Sequence, residues 1–208
     1  MPATVNRLWD VAVLACLRER PMHPYEIQRV LRARRKDDVL VLKRGSLYQT
    51  IARLEAERSI VAGATARVDN RPARTTYRIT AAGRRRLVAW LHEMLERVPR
   101  ERSSLAAALS FLVHLDRDEA AEALRTRIAA LEEDVAALDA RIAQAQPLVG
   151  RIHLLESEYA RAMRAAELAW VRRLASDVAT RRLDWNPETL LRELRESRPA
   201  RRATRRTS

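Results

Sequence analysis

The chain has 208 residues, enough for one or two domains with a substantial hydrophobic core. Its formal net charge is +13, and that charge is distributed unevenly. Residues 1–97 contain 20 Lys and Arg against 10 Asp and Glu, residues 98–180 contain 11 against 13, and residues 181–208 contain 9 against 4. A basic N-terminal block beside a near-neutral middle indicates a polyanion-binding part joined to a part with another task. A general preference for arginine is the alternative, but it does not explain the near-neutral middle.

Several classes of protein are disfavoured by residue types and spacing. Cys16 is the only cysteine and lies in an apolar stretch, so we expect a buried small side chain and no disulfide within the chain. No apolar run approaches the roughly 18 residues of a membrane span, and the N-terminus lacks a signal-peptide pattern. We therefore expect a soluble cytoplasmic protein, associated with the nucleoid if it binds DNA.

An enzyme is also disfavoured. The histidines show no metal-ligand spacing with one another or with Cys16. They are His23, His92, His114 and His153. A nucleophile motif of the G-x-S-x-G kind and a phosphate-binding glycine loop are both missing from a chain with four glycines. We expect no metal and no cofactor.

The first elements of the chain are two helices joined by a turn. Apolar residues at helical spacing predict a first helix that ends near Arg20-Pro21. Two prolines in Pro21-Met22-His23-Pro24 disfavour helix before each of them and predict a turn. A short second helix follows, and its spaced residues are Tyr25, Ile27, Val30 and Leu31.

A third helix and a hairpin come next. Leu47, Ile51 and Leu54 recur at the spacing of a helix that packs on a core. Its opposite face is predicted to carry Lys43, Arg44, Gln49, Thr50 and Arg53. Strand-like segments at Ile60-Val61 and Tyr77-Arg78-Ile79 flank a tip at Asn70-Arg71-Pro72. Helix, strand, basic turn and strand in this order predict a winged helix-turn-helix that binds DNA.

The hairpin leads into a further helix and then into a different composition. Thr80 is the predicted N-cap of a helix that reaches about Arg97, and Val98-Pro99-Arg100 marks a joint. Asp116 with Glu119 then forms a predicted capping box at the start of a long helix. Successive apolar residues in it are separated by 4, 3, 4, 3 and 4 positions, which places them on one continuous seam along the helix. They are Leu124, Ile128, Leu131, Val135, Leu138 and Ile142.

A second long helix follows the breakers Pro147 and Gly150. One side of it is predicted to carry Ile152, Leu155, Tyr159, Met163, Ala166, Trp170, Leu174 and Val178. Two such helices form an antiparallel hairpin that cannot bury both seams alone, so we expect a homodimer built on the first seam. The alternative is a monomer in which the hairpin folds back on the helix over residues 80–97.

The expected architecture is mainly α with a small β wing, in three parts. Residues 1–97 form the winged helix-turn-helix, residues 98–180 the helical dimerisation domain, and residues 181–208 a short helix and a basic tail. Asn186-Pro187-Glu188 is the predicted start of that helix. The tail beyond Arg195 is expected to be disordered.

The residues at the start of the third helix are suited to contact a DNA phosphate. Gly45 has no Cβ, so its backbone can approach a phosphate closely, and the helix N-terminus beside Ser46 favours that anion. Lys43 and Arg44 add positive charge just before it. Gly45 could also be an ordinary turn glycine. The ordered set of residues therefore supports DNA binding more strongly than any single residue does.

The following turn of that helix supplies candidates for base contacts. Gln49 and Thr50 are candidates for base edges, and Arg53 for a phosphate or a guanine. Tyr48 could donate its hydroxyl to a phosphate, although its ring could equally extend the core beside Leu47.

The ordered motifs over about residues 8–95 resemble the PadR family of bacterial transcriptional regulators. The segments that carry the resemblance are Pro21-Met22-His23-Pro24-Tyr25-Glu26-Ile27, Gly45-Ser46-Leu47-Tyr48, Leu54-Glu55-Ala56-Glu57 and residues 70–83, NRPARTTYRITAAG. The helical remainder is similar, more loosely, to the long C-terminal dimerisation region of one PadR subgroup. The resemblance implies a dimeric winged-helix repressor that leaves a pseudo-palindromic operator when a small molecule binds. DNA-contacting positions carried over from the family are Tyr25, Ser46, Tyr48, Arg71 and Arg74.

The chain departs from the family pattern at four positions. Pro24 stands where glycine is usual, and Gln49 replaces a common proline and adds a side chain able to read adenine. Arg58 replaces the glycine that ends the recognition helix, so we expect a less sharply formed helix end. Asn70 replaces a wing glycine and tolerates left-handed backbone better than most residues. These departures affect operator sequence more than DNA binding itself.

The effector is expected by resemblance to be an aromatic or planar compound bound where dimer helices meet. Tyr159, Met163 and Trp170 are candidates to line such a pocket, and plain core packing is the alternative for all three. Two other functions stay open: a nonspecific architectural DNA-binding protein, supported by the basic tail, and an adaptor that binds protein.

Overall fold

The computed structural model describes residues 3–34, 36, 44–66, 74–98 and 103–196. It divides the chain into two compact units, Met1–Arg100 and Glu101–Ser208. The predicted mainly helical architecture with a small β wing is confirmed. Lys43, Asn70, Arg71 and the basic tail from residue 197 onward lie outside the described residues. A search of the described helices found none with the length and apolar character of a membrane span.

The described residues of the first unit form four α-helices and a two-stranded antiparallel sheet. Its elements are α1 (Ala3–Glu19), α2 (Pro24–Ala33), α3 (Arg44–Ala56), β1 (Ile60–Ala66), β2 (Arg74–Ile79) and α4 (Ala81–Glu96). The His23 side chain caps α2 by accepting from the Tyr25 amide at 3.1 Å. Thr80 Oγ1 accepts from the Gly83 amide at 3.0 Å, which confirms the predicted cap of α4.

The two strands of the wing sheet are joined by a third segment of backbone, which pairs at a single residue. Ile60 pairs with Ile79, and the register shifts between Ala62 and Thr65. Met22, in the turn between α1 and α2, exchanges two backbone hydrogen bonds with Tyr77 of β2, at 3.1 and 2.9 Å. The proline-rich turn therefore extends the sheet and ties α2 to the wing.

The buried apolar residues described in the first unit form one hydrophobic core, and α1 contributes most to it. The buried residues are Trp9, Val13, Leu14, Cys16, Leu17, Met22, Ile27, Leu31, Leu47, Ile51, Leu54, Ile60, Ile79 and Leu87. Cys16 is thus a core side chain, and burial raises the pKa of its thiol to about 11. A neutral thiol in such surroundings behaves as a small hydrophobe.

The end of α3 is sharper than the sequence indicated. Arg58 has φ 56°, in the left-handed region. The Ser59 amide donates to Leu54 O and the Arg58 amide to Glu55 O, both at 2.8 Å. This is the Schellman arrangement that glycine usually makes. The expectation of a loosely formed helix end was wrong, because Arg58 adopts the backbone of the glycine it replaces.

The second unit is an antiparallel helical hairpin with short helices at its ends. Its helices are α5 (Ser104–Ser110), α6 (Arg117–Ala145), α7 (Leu155–Ala179) and α8 (Pro187–Glu196). The capping box of Asp116 and Glu119 is present, with hydrogen bonds of 2.8 and 2.9 Å. Asn186 accepts from the Thr189 amide at 3.1 Å, as a helix start there requires. The α5 helix was not predicted; its only local signal is the Ser103 N-cap.

The seam of α6 packs on α7 of the same chain. Leu124 and Leu131 are buried against Leu168, Val171 and Val178. Ile128 and Val135 are partly buried against the same cluster, and Leu138 and Ile142 are also half-buried. Assigning this seam to a second copy was therefore wrong, because α7 already covers it within one chain.

Candidate nucleic-acid interface

The α3 helix lies on the core through one stripe of its surface. Leu47, Ile51 and Leu54 are all buried, as their spacing predicted. Thr50 shares that side and is only 3% exposed. Its predicted place among the DNA-contacting residues was wrong, since a helical turn puts position 50 between Leu47 and Leu54 on the inner side.

The opposite side of α3 carries no core contact. This α3 outer face is defined by Gly45, Tyr48, Gln49 and Ala52, all exposed. Tyr48 is 53% exposed, so its ring does not join the core. An added Cβ at Gly45 would meet no atom of the described residues within 4 Å, so those residues do not require glycine there. A reason outside the chain, such as a closely approaching phosphate, fits that observation.

Arg53 was also predicted on the outer side, and the structure turns it toward α1. Its guanidinium donates a hydrogen bond to Asp10 Oδ1. Asp10 is buried, and desolvation raises the pKa of its carboxyl despite the opposing hydrogen bond from Arg53. The charge of Arg53 is thus engaged in holding α3 to α1, and the DNA contact assigned to Arg53 stays a prediction.

The α2 helix adds an exposed phenol close to charged side chains. Tyr25 is exposed, and a cleft of about 240 Å³ lies beside it. The cleft is lined by His23, Tyr25, Glu26 and Arg29. Glu26 is paired with Arg20 at 2.6 Å, and that hydrogen bond lowers the pKa of the Glu26 carboxyl. The exposed Arg29 was not singled out from the sequence, although its place in α2 after Tyr25 was a signal.

The described part of the wing presents one further cation. Arg78 of β2 is exposed, while its neighbour Ile79 is buried. This alternation follows from the period of a strand and could have marked Arg78 as outward-facing. Arg74 begins β2 and Arg44 begins α3, but only the backbone of these two residues is described.

Acidic residues lie toward the other end of α3. Glu55 is exposed, and Glu57 pairs with Arg86 of α4. Carboxylates repel phosphates, so the first turns of α3 are better suited to DNA than its last turn. Across the residues that the structure describes, no cluster of three or more His, Cys, Asp or Glu could hold a metal ion.

The residues proposed to line an effector pocket lie on α7. Tyr159, Met163 and Trp170 are 67%, 50% and 42% exposed, respectively. They lie about 100° around the helix from Val171, which faces α6. The sequence had placed them on one side with Val178, but the structure separates the two sets.

Comparisons with known proteins agree with this geometry. Residues 13–89 match the transcriptional regulator PadR-like family. None of the curated protein sequences compared matches the chain significantly. The fold is similar to Bacillus subtilis PadR in complex with operator DNA, at TM-score 0.69 and 17% identity, covering 82% of this chain and 99% of that one.

Two further solved structures show the same fold. Bacillus subtilis PadR in complex with p-coumaric acid gives a TM-score of 0.67 at 16% identity, covering 82% of this chain and 98% of that one. A PadR-like transcriptional regulator from Bacillus cereus gives 0.57 at 17% identity, covering 83% and 99%. The resemblance seen in the sequence motifs is confirmed, and residues 13–89 are a domain of the transcriptional regulator PadR-like family.

Proposed function

We propose that the protein is a sequence-specific DNA-binding repressor that acts as a homodimer on a pseudo-palindromic operator. The observation that carries this proposal is the α3 outer face, which is exposed on a helix held firmly by core and ion pair. A recognition helix needs both properties, because it must enter a major groove without losing its position. A repressor of this kind works in the cytoplasm, at the nucleoid.

The first turns of α3 are assigned the base and phosphate contacts. Gln49 can bond adenine through its amide oxygen and nitrogen together, which reads sequence. Tyr48 and the α3 amides near Gly45 and Ser46 are suited to phosphates, which position the helix. Tyr25 adds a phenol from α2, and the wing adds arginines, with Arg78 exposed in the described part.

Dimerisation is assigned to α7 in place of the α6 seam. The α7 outer stripe is defined by Ile152, Leu155, Tyr159, Met163 and Trp170, of which Ile152 lies in the short 3-10 helix Arg151–His153 before α7, and all five are exposed in one chain. Contiguous apolar surface of this kind is usually covered by another protein surface. A second copy covers it symmetrically, and a twofold dimer then matches a twofold operator.

An aromatic effector fits the same region. The similar structure of Bacillus subtilis PadR holds p-coumaric acid. In a dimer built on α7, Tyr159, Met163 and Trp170 would lie where the two copies meet and offer aromatic and thioether groups to a planar ligand. Release from DNA would follow if the ligand favours a dimer geometry that does not fit the operator.

The test is fluorescence anisotropy of the full chain with DNA from upstream of its own coding region, against scrambled DNA, over a salt series. We expect the native DNA to bind tighter by about 10³ or more. Equal and steeply salt-dependent binding to both would point to an architectural role or to a different operator. Absence of binding at low salt would overturn the DNA assignment and favour an adaptor.

Substitution at Gln49 tests base recognition separately from the electrostatic attraction between the protein and DNA. Gln49→Ala removes a possible bidentate base contact and should reduce discrimination by about 1–3 kcal/mol at one operator position. Competition binding over single-base operator variants measures it. Gln144→Ala, at an exposed glutamine of α6, is the matched control and should leave the preferences unchanged. Unchanged preferences in Gln49→Ala would show that the outer face is assigned wrongly.

A further inference from the structure

We propose that Asp10 is a positioning residue for DNA binding, which presents Arg53 to a DNA phosphate and takes up a proton when Arg53 moves onto that phosphate. The inference rests on the proposed function and concerns the regulation of the same interface. Asp10 lies on α1 and Arg53 on α3, and the guanidinium donates a hydrogen bond to Asp10 Oδ1. The pair therefore joins the proposed recognition helix to a helix of the core.

Arg53 lies at the edge of the α3 outer face. It follows Gln49 by four residues, which places it about 40° further around the helix and one turn further along. The Arg53 side chain is 34% exposed, whereas that of Asp10 is 10% exposed. The guanidinium can thus be reached from the surface while it is bonded to a carboxylate that lies deeper.

The position of Arg53 along α3 matches the width of a major groove. Eight positions separate it from Gly45, which corresponds to about 12 Å along a helix axis. The major groove of B-DNA is also about 12 Å wide. When the start of α3 lies against the phosphates of one strand, Arg53 therefore lies near the other strand. A guanidinium binds a phosphate and a carboxylate with the same planar pair of N–H donors, so a phosphate can replace Asp10 as its partner.

The place of α3 does not depend on this ion pair alone. Leu47, Ile51 and Leu54 are buried and hold the helix on the core. The Schellman motif after its last turn fixes its end. Arg53 can therefore exchange partners while the helix keeps its position.

Asp10 is buried against the core of the first unit. It is 7% exposed and directly follows Trp9, a core residue. Desolvation raises the pKa of its carboxyl, although Arg53 opposes the rise through a hydrogen bond and through its charge. A buried ion pair of this kind often stabilises a fold no better than apolar residues of similar size. The pair therefore points to a role beyond packing.

Two other charged side chains of the described residues act on Asp10. Glu57, just after α3, raises the pKa of Asp10, and Arg7 of α1 lowers it. Their partners on α4 are Arg86 and Glu93, respectively. When Arg53 leaves, desolvation and Glu57 are opposed by Arg7 alone. The pKa of Asp10 then rises further, and the carboxyl binds a proton from solution.

DNA affinity should therefore depend on pH through Asp10. The DNA-bound protein holds this proton more tightly than the free protein, so affinity rises as pH falls through the higher pKa of the bound state. It levels off below the pKa of the free protein. Asp10→Asn needs no proton, so it should lose this part of the pH dependence. It should also bind DNA about tenfold tighter at neutral pH, because DNA no longer displaces a charged partner from Arg53.

The experiment is calorimetric titration of the full chain with DNA from upstream of its coding region and with scrambled DNA. Bis-Tris and phosphate buffers at about pH 6.5 and equal ionic strength differ in ionisation enthalpy, so a difference in binding heat measures the protons taken up. We expect uptake by the parent with both DNAs, since a phosphate carries no sequence. We expect less uptake by Asp10→Asn. Melting temperatures show that each variant is folded, and the parent titration needs no substitution.

A double-mutant cycle identifies Arg53 as the group that moves. Asp10→Asn should tighten binding about tenfold when Arg53 is present and change it by less than about twofold in an Arg53→Gln background. Glu19→Gln is the matched control, because it removes the other carboxylate of α1, which pairs with Arg34. Its affinity should stay within about twofold of the parent, and its proton uptake should be unchanged.

Three results would overturn the inference. The first is a parent that binds DNA without taking up protons. The second is equal uptake by the parent and Asp10→Asn. The third is equal tightening by Asp10→Asn with and without Arg53, which would mean that only the loss of a negative charge matters. Each of these leaves DNA binding in place, whereas absence of binding to either DNA at low salt would overturn the proposed function itself.

Discussion

The two units of this chain bury their apolar residues to very different extents. The described part of the first unit holds fourteen buried core residues contributed by α1–α4, both strands and the turn at Met22. The hairpin, with its two helices of 29 and 25 residues, holds five in its core cluster. The first unit has a core covered on several sides, whereas the hairpin is a single seam between two helices.

The two long helices of the hairpin are joined by ion pairs in addition to their small hydrophobic core. Between α6 and α7 lie ion pairs such as Arg161–Asp139 at 2.9 Å and Arg172–Glu132 at 2.5 Å. Exposed pairs of this type contribute little to stability, and the α7 outer stripe stays in contact with water. One unit by itself therefore fixes the position of the α3 outer face, whereas the hairpin leaves the α7 outer stripe exposed. The proposed homodimer would cover that stripe with a second copy.

The largest effect is expected where the first unit is packed most tightly. A Cβ at Gly83 would lie 2.1 Å from Ser59 O and 2.9 Å from Ile79 Cγ1. Gly83→Ala must therefore push α4 away from the wing, and we expect a loss of about 3 kcal/mol in the free energy of unfolding. Urea denaturation followed by circular dichroism measures it.

The matched control is Gly45→Ala, because no atom lies within 4 Å of a Cβ at that position. Its stability should change by less than about 1 kcal/mol. Equal losses for the two variants would show that the first unit is packed more loosely than the Gly83 contact indicates.

The second effect tests whether the hairpin is completed by another copy. Met163→Glu puts a charge in the middle of the α7 outer stripe, and a twofold interface meets each substitution twice. We expect the dimer dissociation constant to rise by about a hundredfold or more, while the hairpin still folds. Sedimentation equilibrium measures the constant.

Ala140→Glu, at an exposed position of α6 on the side opposite its seam, adds the same charge, serves as the control and should leave association unchanged. A parent protein that sediments as a monomer at all concentrations would contradict the comparison. So would a Met163→Glu protein that dimerises as well as the parent.

A smaller effect comes from backbone conformation at the end of α3. Arg58→Gly places glycine at φ 56° in a Schellman motif, and Arg58 is exposed. We expect a gain of about 1 kcal/mol in the free energy of unfolding, since relief of the left-handed backbone exceeds the added freedom of the unfolded chain. Thermal denaturation measures the gain. Arg97→Gly, at φ −86° after α4, should lower stability or leave it unchanged.

Local signals in the sequence predicted most elements correctly. The caps at Thr80, Asp116 and Asn186 and the spacing of Leu47, Ile51 and Leu54 depend on neighbours within a few residues, and the structure confirms them. Such features are decided by hydrogen-bond geometry along one segment of chain.

The features that the sequence did not predict depend on distant partners. Thr50 is polar yet buried, and Arg53 points to Asp10, 43 residues away. The seam of α6 was periodic enough to suggest a second copy, but α7 of the same chain covers it. Periodicity shows that a face is apolar without showing which surface packs on it.

The smallest effect is on the pH dependence of stability. It is expected to differ between a buried carboxylate of the first unit, Asp10, and an exposed carboxylate of the hairpin, Asp139. Burial raises the pKa of Asp10 above its ordinary 3.8, so the native state holds that proton more tightly than the unfolded chain. Stability from Asp10 is then lost as pH rises above 3.8 through the raised pKa. At Asp139, the hydrogen bond from Arg161 lowers the pKa, and stability is lost as pH falls below 3.8.

The variants Asp10→Asn and Asp139→Asn should therefore shift in opposite senses. Relative to the parent, Asp10→Asn should become more stable as pH rises above 3.8, because it no longer has to ionise a carboxyl beside the core. The loss of stability caused by Asp139→Asn should be smallest at acidic pH, where Asp139 of the parent is already protonated. Urea denaturation at a series of pH values measures both. Parallel pH profiles for the two variants would mean that Asp10 is as well solvated as Asp139, and that the Asp10–Arg53 pair is no more shielded from water than the exposed ion pairs of the hairpin.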